Sequence, residues 1–475
     1  MFDGQFLLMR SWWNEARPTL TLAVPMIFGQ LGQMLMPLID AAMVGRLGVT
    51  PLAAVALGNL IVWIPMIAGF GICVAVHVLV ASAHSSGDRT EAGEVLRHGL
   101  ALAALYGFIC SALLMVGLGW LDLLPRVEPE VIAASKPFII WIGWSIIPVI
   151  AFTSVKNYCE AQNRAWLPLV VLSASVVLNV FLNIIFIYGH FGVPAMGVAG
   201  AGLATLLSRV AALVALLIII QCSPSLRAEW KGGAFARLDG ERLRRMLALG
   251  GPSAGQILFE VGVFNFATLL AGMLGKVVLD AHQITQNIAG MAYMVPLALS
   301  QATGIRVSQA MGVGKFAQAR RIGWASLGCA TAFMATYAVG ILFARHALPH
   351  IFLRADSPQA VDVMALSSTL LLWAAAFAVF DGAQIVSLGI LRGMYDVRVP
   401  LALSFAGFWL VAAPLAWYWS FARGWGGPGI WSGLFCGEVV VAGLLVGRFA
   451  VKARQNLQLE ILAIPGPEGI VKDTL

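Results

Sequence analysis

Four carboxylates, Asp40, Glu260, Asp381 and Glu438, and one guanidinium, Arg209, stand within long apolar runs of this 475-residue chain. An ionisable group at bilayer depth is costly, so each is a candidate for moving or holding ions. Glu260 lies 15 residues from Arg245 and 16 from Lys276, at the middle of its run. Asp381 is 11 residues from Arg392 and 19 from Asp362. Those depths differ by four residues, or about 6 Å of helix, so one chamber accommodates both acids. Gln256 precedes Glu260 by one turn and Gln384 follows Asp381 by one turn. The neighbouring run adds Gln283, Gln286, Asn287 and Tyr293, with Gln286, Tyr293 and Ser300 repeating every seven residues along one stripe. Such oxygen-rich surroundings suit Na+, a hard cation, or a proton exchanged on a carboxyl. Acids that merely tie helices together are the structural alternative.

A smaller polar group belongs to the first half of the chain. Asp40 lies six residues before Arg46 and follows Pro37, which bends a helix and frees a carbonyl. Asn179 and Asn183 are one turn apart, and Thr205 on the next run completes the set. Asn and Thr also serve as glue between helices. Arg209 needs a carboxylate or carbonyl partner, and a structural role suits it as well as a functional one. Glu438, beside Gly433 and Gly437, marks a tight helix contact. His77 and His282 sit singly on apolar runs and are expected to be packed. The six cysteines are scattered without paired spacing, and are expected to be small packing residues rather than disulfides or ligands.

The elements that position these residues follow from composition. Hydrophobic residues make up 60% of the chain and charged ones 11%, with a mean hydropathy of +0.86. A soluble domain carries about 25% charged residues, so a soluble enzyme, a nucleic-acid-binding module and a disordered chain are all excluded. Apolar runs of spanning length number twelve, near 19–44, 52–80, 99–120, 133–153, 167–188, 198–221, 247–274, 281–305, 322–344, 364–389, 400–420 and 429–447. The chain is therefore expected to be an all-α integral membrane protein of twelve transmembrane helices. The first run is too long for a signal peptide's core and has no small-residue cleavage site, so it is expected to remain as a helix. With the N-terminus in the cytoplasm, inner segments carry 22 of the 30 Lys and Arg and outer ones seven. Both termini are accordingly expected to be cytoplasmic.

The two halves repeat each other. Pro25, Gly29-Gln30, Gly45–Gly48 and Gly87–Ala92 recur as Pro252, a shifted Gly255-Gln256, Gly272–Gly275 and Gly314–Ala319, most of them at an offset of 227. Pro168 with Pro400, and Gly197/Gly200 with Gly426/Gly429, continue the pattern at offsets of 232 and 229. A near-constant offset across six spans indicates duplication, and six being even makes the repeats parallel, related by a pseudo-two-fold along the membrane normal. The expected organisation is an N-terminal six-helix lobe over 1–222, a basic cytoplasmic connector over 223–246, a second six-helix lobe over 247–450 and a cytoplasmic tail over 451–475. Residues 455–475, with Pro465 and Pro467, read as disordered. No ATP motor is encoded: a P-loop around Lys315 would need Gly at 309 and Ser or Thr at 316, where the chain has Gln309 and Phe316.

Several motifs occur in order along the chain. They are Val24-Pro25 through Gln30, Asp40-x-x-Met43-Val44-Gly45-Arg46-Leu47-Gly48, and Leu178-Asn179-x-x-Leu182-Asn183-x-x-Phe186-Ile187-Tyr188-Gly189. Gly200 to Thr205, Ala281-His282-Gln283 with Asn287, and Leu388 to Gly393 follow. Together, from about 17 to 450, the chain resembles the multidrug and toxic compound extrusion (MATE) transporters. Glu260 with Asp381, and Asn183 where the DinF-like branch usually has Asp, resemble the NorM-like bacterial branch. The resemblance implies two six-helix lobes that export bulky cationic drugs in exchange for Na+ or H+. It carries the cation-site acids onto Glu260 and Asp381, an aromatic hydroxyl onto Tyr293 and a first-lobe acid onto Asp40, with Na+ ligation by Glu260, Asp381 and Tyr293. Phe377, one turn before Asp381, stands where some NorM-like members have Tyr, which removes an oxygen ligand.

The expected function is a cation-coupled multidrug antiporter of the bacterial inner membrane, monomeric, in contact with lipid and small cationic drugs and not with nucleic acid. It needs no cofactor beyond the coupling ion. Whether Na+ or H+ couples, and whether Asp40 or the Glu260/Asp381 pair dominates, stays open. A lipid-linked precursor flippase shares the parallel two-lobe build but wants a basic cavity. An intramembrane enzyme would need a His-Glu-x-x-His grouping, which the chain lacks, or a Gly-x-Ser-x-Gly nucleophile turn between a strand and a helix; the match from Gly251 to Gly255 lies inside an apolar run and is not such a turn.

Overall fold

The computed structural model describes the backbone of residues 2–123, 127–223, 226, 238–353 and 358–463, with side chains from 12 to 458 within those ranges. Much of the expected connector 223–246, and residues 464–475 of the expected tail, lie outside the described residues. Among the described residues, twelve helices are long and apolar enough to cross a membrane. In chain order they are α1 Trp12–Gly45, α2 Val49–Ser85, α3 Arg89–Leu123, α4 Pro129–Ala161, α5 Trp166–Tyr188, α6 Val198–Cys222, α7 Gly240–Met273, α8 Lys276–Gly312, α9 Phe316–Ala344, α10 Pro358–Gly393, α11 Arg398–Ala422 and α12 Gly427–Gln458. The count and order match the hydropathy pattern. Most helices run past the apolar runs at one or both ends. The last continues to Ala463, so the first residues of the stretch read as disordered are helical.

Only helices satisfy every backbone N–H and C=O within one segment in lipid, so irregular stretches in these spans are informative. α4 breaks at Ser145, between Trp144 and Ile146. α11 widens to π-helix over Ala406–Ala412 and again over Tyr418–Ala422. Such widenings in an α-helix recur at functional sites.

The helices pack as two compact units, Val24–Leu258 and Met1–Ala23 with Phe259–Leu475. α1 therefore changes unit at Ala23, and α7 changes unit at Leu258. Charged side chains hold both helix beginnings. Glu15 on α1 accepts from Arg306 of α8 at 2.8 Å and from Gln318 of α9 at 3.4 Å, and Arg306 also donates to Thr19 at 2.6 Å. Arg242 on α7 donates to Glu91 of α3 at 2.9 Å, and the Asp239 N–H donates to His98 at 2.8 Å. Glu15 and Arg242 are separated by the offset of the internal repeat, as are Glu91 and Gln318, so the two clamps occupy equivalent places in the two halves.

Candidate functional site

In the unit containing Phe259–Leu475, four elements converge on one polar region. α8 and α10 approach closely because their contact is built from small residues: a Cβ on Gly389 would strike the Ser300 carbonyl, and one on Gly393 would lie 2.7 Å from the Gly304 carbonyl oxygen. The Ser300 hydroxyl donates to the Ile385 carbonyl at 2.5 Å. This approach places Tyr293 of α8 beside α10. α7 is fixed by α11, whose widened segment aims Trp409 at it: the indole N–H donates to the Phe259 carbonyl at 3.2 Å, one residue from Glu260. Phe259 also packs on Phe405, with centroids 5.1 Å apart.

Glu260 is 8% exposed and Asp381 6%. The Tyr293 hydroxyl hydrogen-bonds the Glu260 carboxyl, and Arg392 reaches it electrostatically from the end of α10. Asp381 lies within electrostatic reach of Glu260. Gln384 turns toward Glu260 from α10, yet neither of its amide atoms closes a hydrogen bond of ordinary geometry. Two buried acids close enough to repel need a cation or proton between them, because unpaired charge in a low-dielectric interior is very costly.

The remaining residues read from the sequence distribute as follows. Gln286 is half-buried, while Gln283 and Asn287 are exposed and stand outside this cluster. Gln256 is buried within the other unit. Phe377, in place of a hydroxyl-bearing ring, packs edge-on against Phe264 at 5.7 Å and Trp431 at 6.3 Å. His282 packs against Trp431 and pairs with the Thr268 hydroxyl at 3.1 Å, the packed role expected of it. Two members of the cluster are not grouped with the acid pair by the sequence. Arg392 counts there only as an inner-segment cation. Glu438 reads as a helix contact, and its glycine neighbours do make one: a Cβ on Gly433 or Gly437 would collide with Ala416 or Ala412 of α11. Glu438 itself is buried and interacts electrostatically with Asp381 and Glu260.

The other unit holds the second cluster. Asn183 donates to Asp40 at 2.6 Å and Thr205 donates to its other oxygen at 2.7 Å. Asn183 also donates to Asn179 at 3.2 Å, and Asn179 to Thr205 at 3.4 Å. All four residues are buried. Arg209 donates to Ser145 at 2.6 Å, at the break in α4, and interacts electrostatically with Asp40. A carboxylate saturated by side-chain donors, with one guanidinium near, is held in place. All six cysteines are free. Among the described residues, no three His, Cys, Asp or Glu side chains converge to ligate one metal ion.

Comparison with known proteins agrees with this architecture. The family model described as MatE matches residues 25–185 and 252–418, two stretches whose starts are separated by the offset of the internal repeat. The chain is 36% identical over 447 residues to the "Probable multidrug resistance protein NorM" of Mesorhizobium japonicum, covering 93% of this chain and 95% of that protein. Among solved structures, it resembles a MATE transporter in a bent conformation, with TM-score 0.84, 18% identity and coverage of 95% and 98% of the two chains. It also resembles the eukaryotic MATE transporter AtDTX14, with TM-score 0.82, 21% identity and coverage of 95% and 100%.

Proposed function

The chain belongs to the MatE family of membrane transporters, and from that premise we propose that it is a secondary antiporter exporting bulky, mostly cationic hydrophobic compounds in exchange for Na+ or H+. It is a multi-pass integral membrane protein, not an enzyme. We place it in the bacterial inner membrane as a monomer, with both termini cytoplasmic, and it uses no cofactor beyond the coupling ion. The names of its relatives, multidrug resistance proteins, support the drug-export assignment.

The observation that carries the coupling assignment is the buried pair Glu260 and Asp381, with the Tyr293 hydroxyl on Glu260 and one cation, Arg392, nearby. A Na+ or H+ entering from outside relieves the repulsion between the two carboxyls and stabilises whichever conformation holds it best. Drug binding from the cytoplasm favours the conformation that releases that ion, so the two sites are linked reciprocally and exchange follows. Asp40, already saturated by Asn183 and Thr205, serves better as a fixed element of the first lobe than as the main cation site.

The test is ethidium export from cells that express the transporter. Glu260→Gln and Asp381→Asn each reduce energised export at least tenfold while the protein still inserts at wild-type level. Normal export by either variant contradicts the site assignment.

A further inference from the structure

Arg209 on α6 and Glu438 on α12 occupy equivalent places in the two halves. Gly197 and Gly426 precede these helices with positive φ, 55° and 58°. Three residues on, a Cβ on Gly200 would strike the Phe186 carbonyl of α5, and one on Gly429 would strike the backbone of Trp419 and Ser420 on α11. Both glycine pairs are 229 residues apart, and so are Arg209 and Glu438. Both helices run unbroken from the matched glycines to these residues, so one lobe has a cation where the other has an acid.

The Asp40 cluster shows what the cation does. Asn183 donates to one carboxylate oxygen and, through the same nitrogen, to Asn179 Oδ1, which fixes the orientation of its amide. Thr205 accepts from Asn179 and gives its own hydrogen to the other carboxylate oxygen. Both oxygens of Asp40 thus accept, the pattern of an ionised carboxylate. These partners are neutral, and an uncompensated carboxylate buried in an apolar bundle is very costly. Arg209 follows Thr205 by one turn on the same face of α6. Its Nη1 donates to Ser145 Oγ at 2.6 Å and rests on the Met66 sulfur at 3.8 Å, while the Ser145 hydrogen goes to the Ile142 carbonyl at 2.6 Å. Seated there, Arg209 is the one charged group that acts on Asp40 among the described residues. In the other lobe Glu438 adds a third negative charge to Glu260 and Asp381, with Arg392 as the nearby cation.

We propose that Arg209 is a tethered counter-ion for Asp40, a positive charge supplied by the chain in place of a mobile coupling cation. The first lobe is thereby neutral without a coupling ion, while Glu438 at the equivalent position leaves the second lobe to be neutralised by ions from solution. This rests on the reading of Asp40 as a fixed element of the first lobe.

The experiment is infrared difference spectroscopy on purified full-length protein in Na+-free buffer at neutral pH. Each protein is compared with the same protein carrying Asp40→Asn, so that the carbonyl band of a protonated Asp40 is read alone. The wild type and Arg209→Lys are expected to show no such band. Arg209→Met is expected to show the band of one carboxyl per molecule, because a buried acid without a counter-ion takes a proton, and the band is expected to shrink as pH is raised. Loss of a merely structural arginine lowers stability without producing the band. Gel filtration checks folding, and where Arg209→Met does not fold, Arg209→Gln has the same expected spectrum. An Arg209→Met or Arg209→Gln protein with no Asp40 band overturns the counter-ion alone. A wild type that already shows the band overturns both the counter-ion and the reading of Asp40 as a fixed element. Neither result bears on Glu260 and Asp381, whose coupling is read from gradient-driven transport.

Discussion

Asn183 Nδ2 lies 2.6 Å from Asp40 Oδ1, joining side chains 143 positions apart in sequence within one lobe. Thr205 occupies the other carboxylate oxygen, and Asn179 braces both donors. A hydrogen bond to a charged acceptor contributes about 1.5–3 kcal/mol, and a buried acceptor left bare costs more than a missing pair. Thr205→Val keeps the shape and removes the donor, so it is expected to lower thermal stability in detergent by several degrees. Thr205→Ser restores the bond and most of the stability. Equal melting of Val and Ser variants would mean the Asp40 cluster is not held as described.

The contact between α8 and α10 sets the depth of Tyr293 against Glu260, and it leaves no room at Gly389, where a Cβ would strike the Ser300 backbone. Backbone on the far side does not rotate away as a flexible side chain does. Overpacking of this kind costs about 1–3 kcal/mol. Gly389→Ala is expected to lower both thermal stability and transport rate, whereas Gly443→Ala, with open space around its Cβ position, is expected to leave both near wild type. The pair of variants, compared by melting and by ethidium flux, separates a packing requirement from a general intolerance of alanine.

Much of this is legible without coordinates. Twelve spans emerge because the hydrocarbon layer of a bilayer demands long apolar runs, and little else in sequence mimics them. The Asp40 set is legible because Asn179 and Asn183 lie one turn apart on a face that has no other use for amides. The Glu260–Asp381 association follows from depth alone. What sequence does not show is lateral neighbourhood. Gln283 and Asn287 share a helix with Tyr293 but lie exposed, since a heptad stripe reports one face and these residues fall beside it. Glu438 is masked by its own glycines: Gly433 and Gly437 face α11, while Glu438, about 100° further round the helix, faces α10. The ring contact between Trp431 and Phe377 carries that information, and it exists only when helices are placed side by side.

The clamp at the start of α1 predicts a measurable coupling. Glu15 and Arg306 are 12% and 13% exposed in their side chains and meet at 2.8 Å. A pair so nearly buried is screened less than a surface pair, which contributes about 0–1 kcal/mol. In a double-mutant cycle, Glu15→Gln and Arg306→Gln are expected to destabilise singly, and together by less than their sum. Strict additivity would show that the pair does not hold α1 to its unit. The repeat-related pair, Arg242 and Glu91, is more exposed, at 35% and 26%, and is expected to show a smaller coupling.

The central claim is that the Glu260–Asp381 pair couples drug export to an inward cation gradient. Ethidium transport in proteoliposomes, driven first by an imposed Na+ gradient and then separately by a pH gradient, tests it most directly. At least one gradient is expected to drive ethidium uphill in the wild type and to fail in Glu260→Gln and Asp381→Asn. Transport under Na+ alone makes Glu260, Asp381 and Tyr293 sufficient ligands despite Phe377, and transport under the pH gradient alone makes the two acids proton carriers. Ethidium moved by neither gradient, or moved equally well by the two variants, contradicts the account.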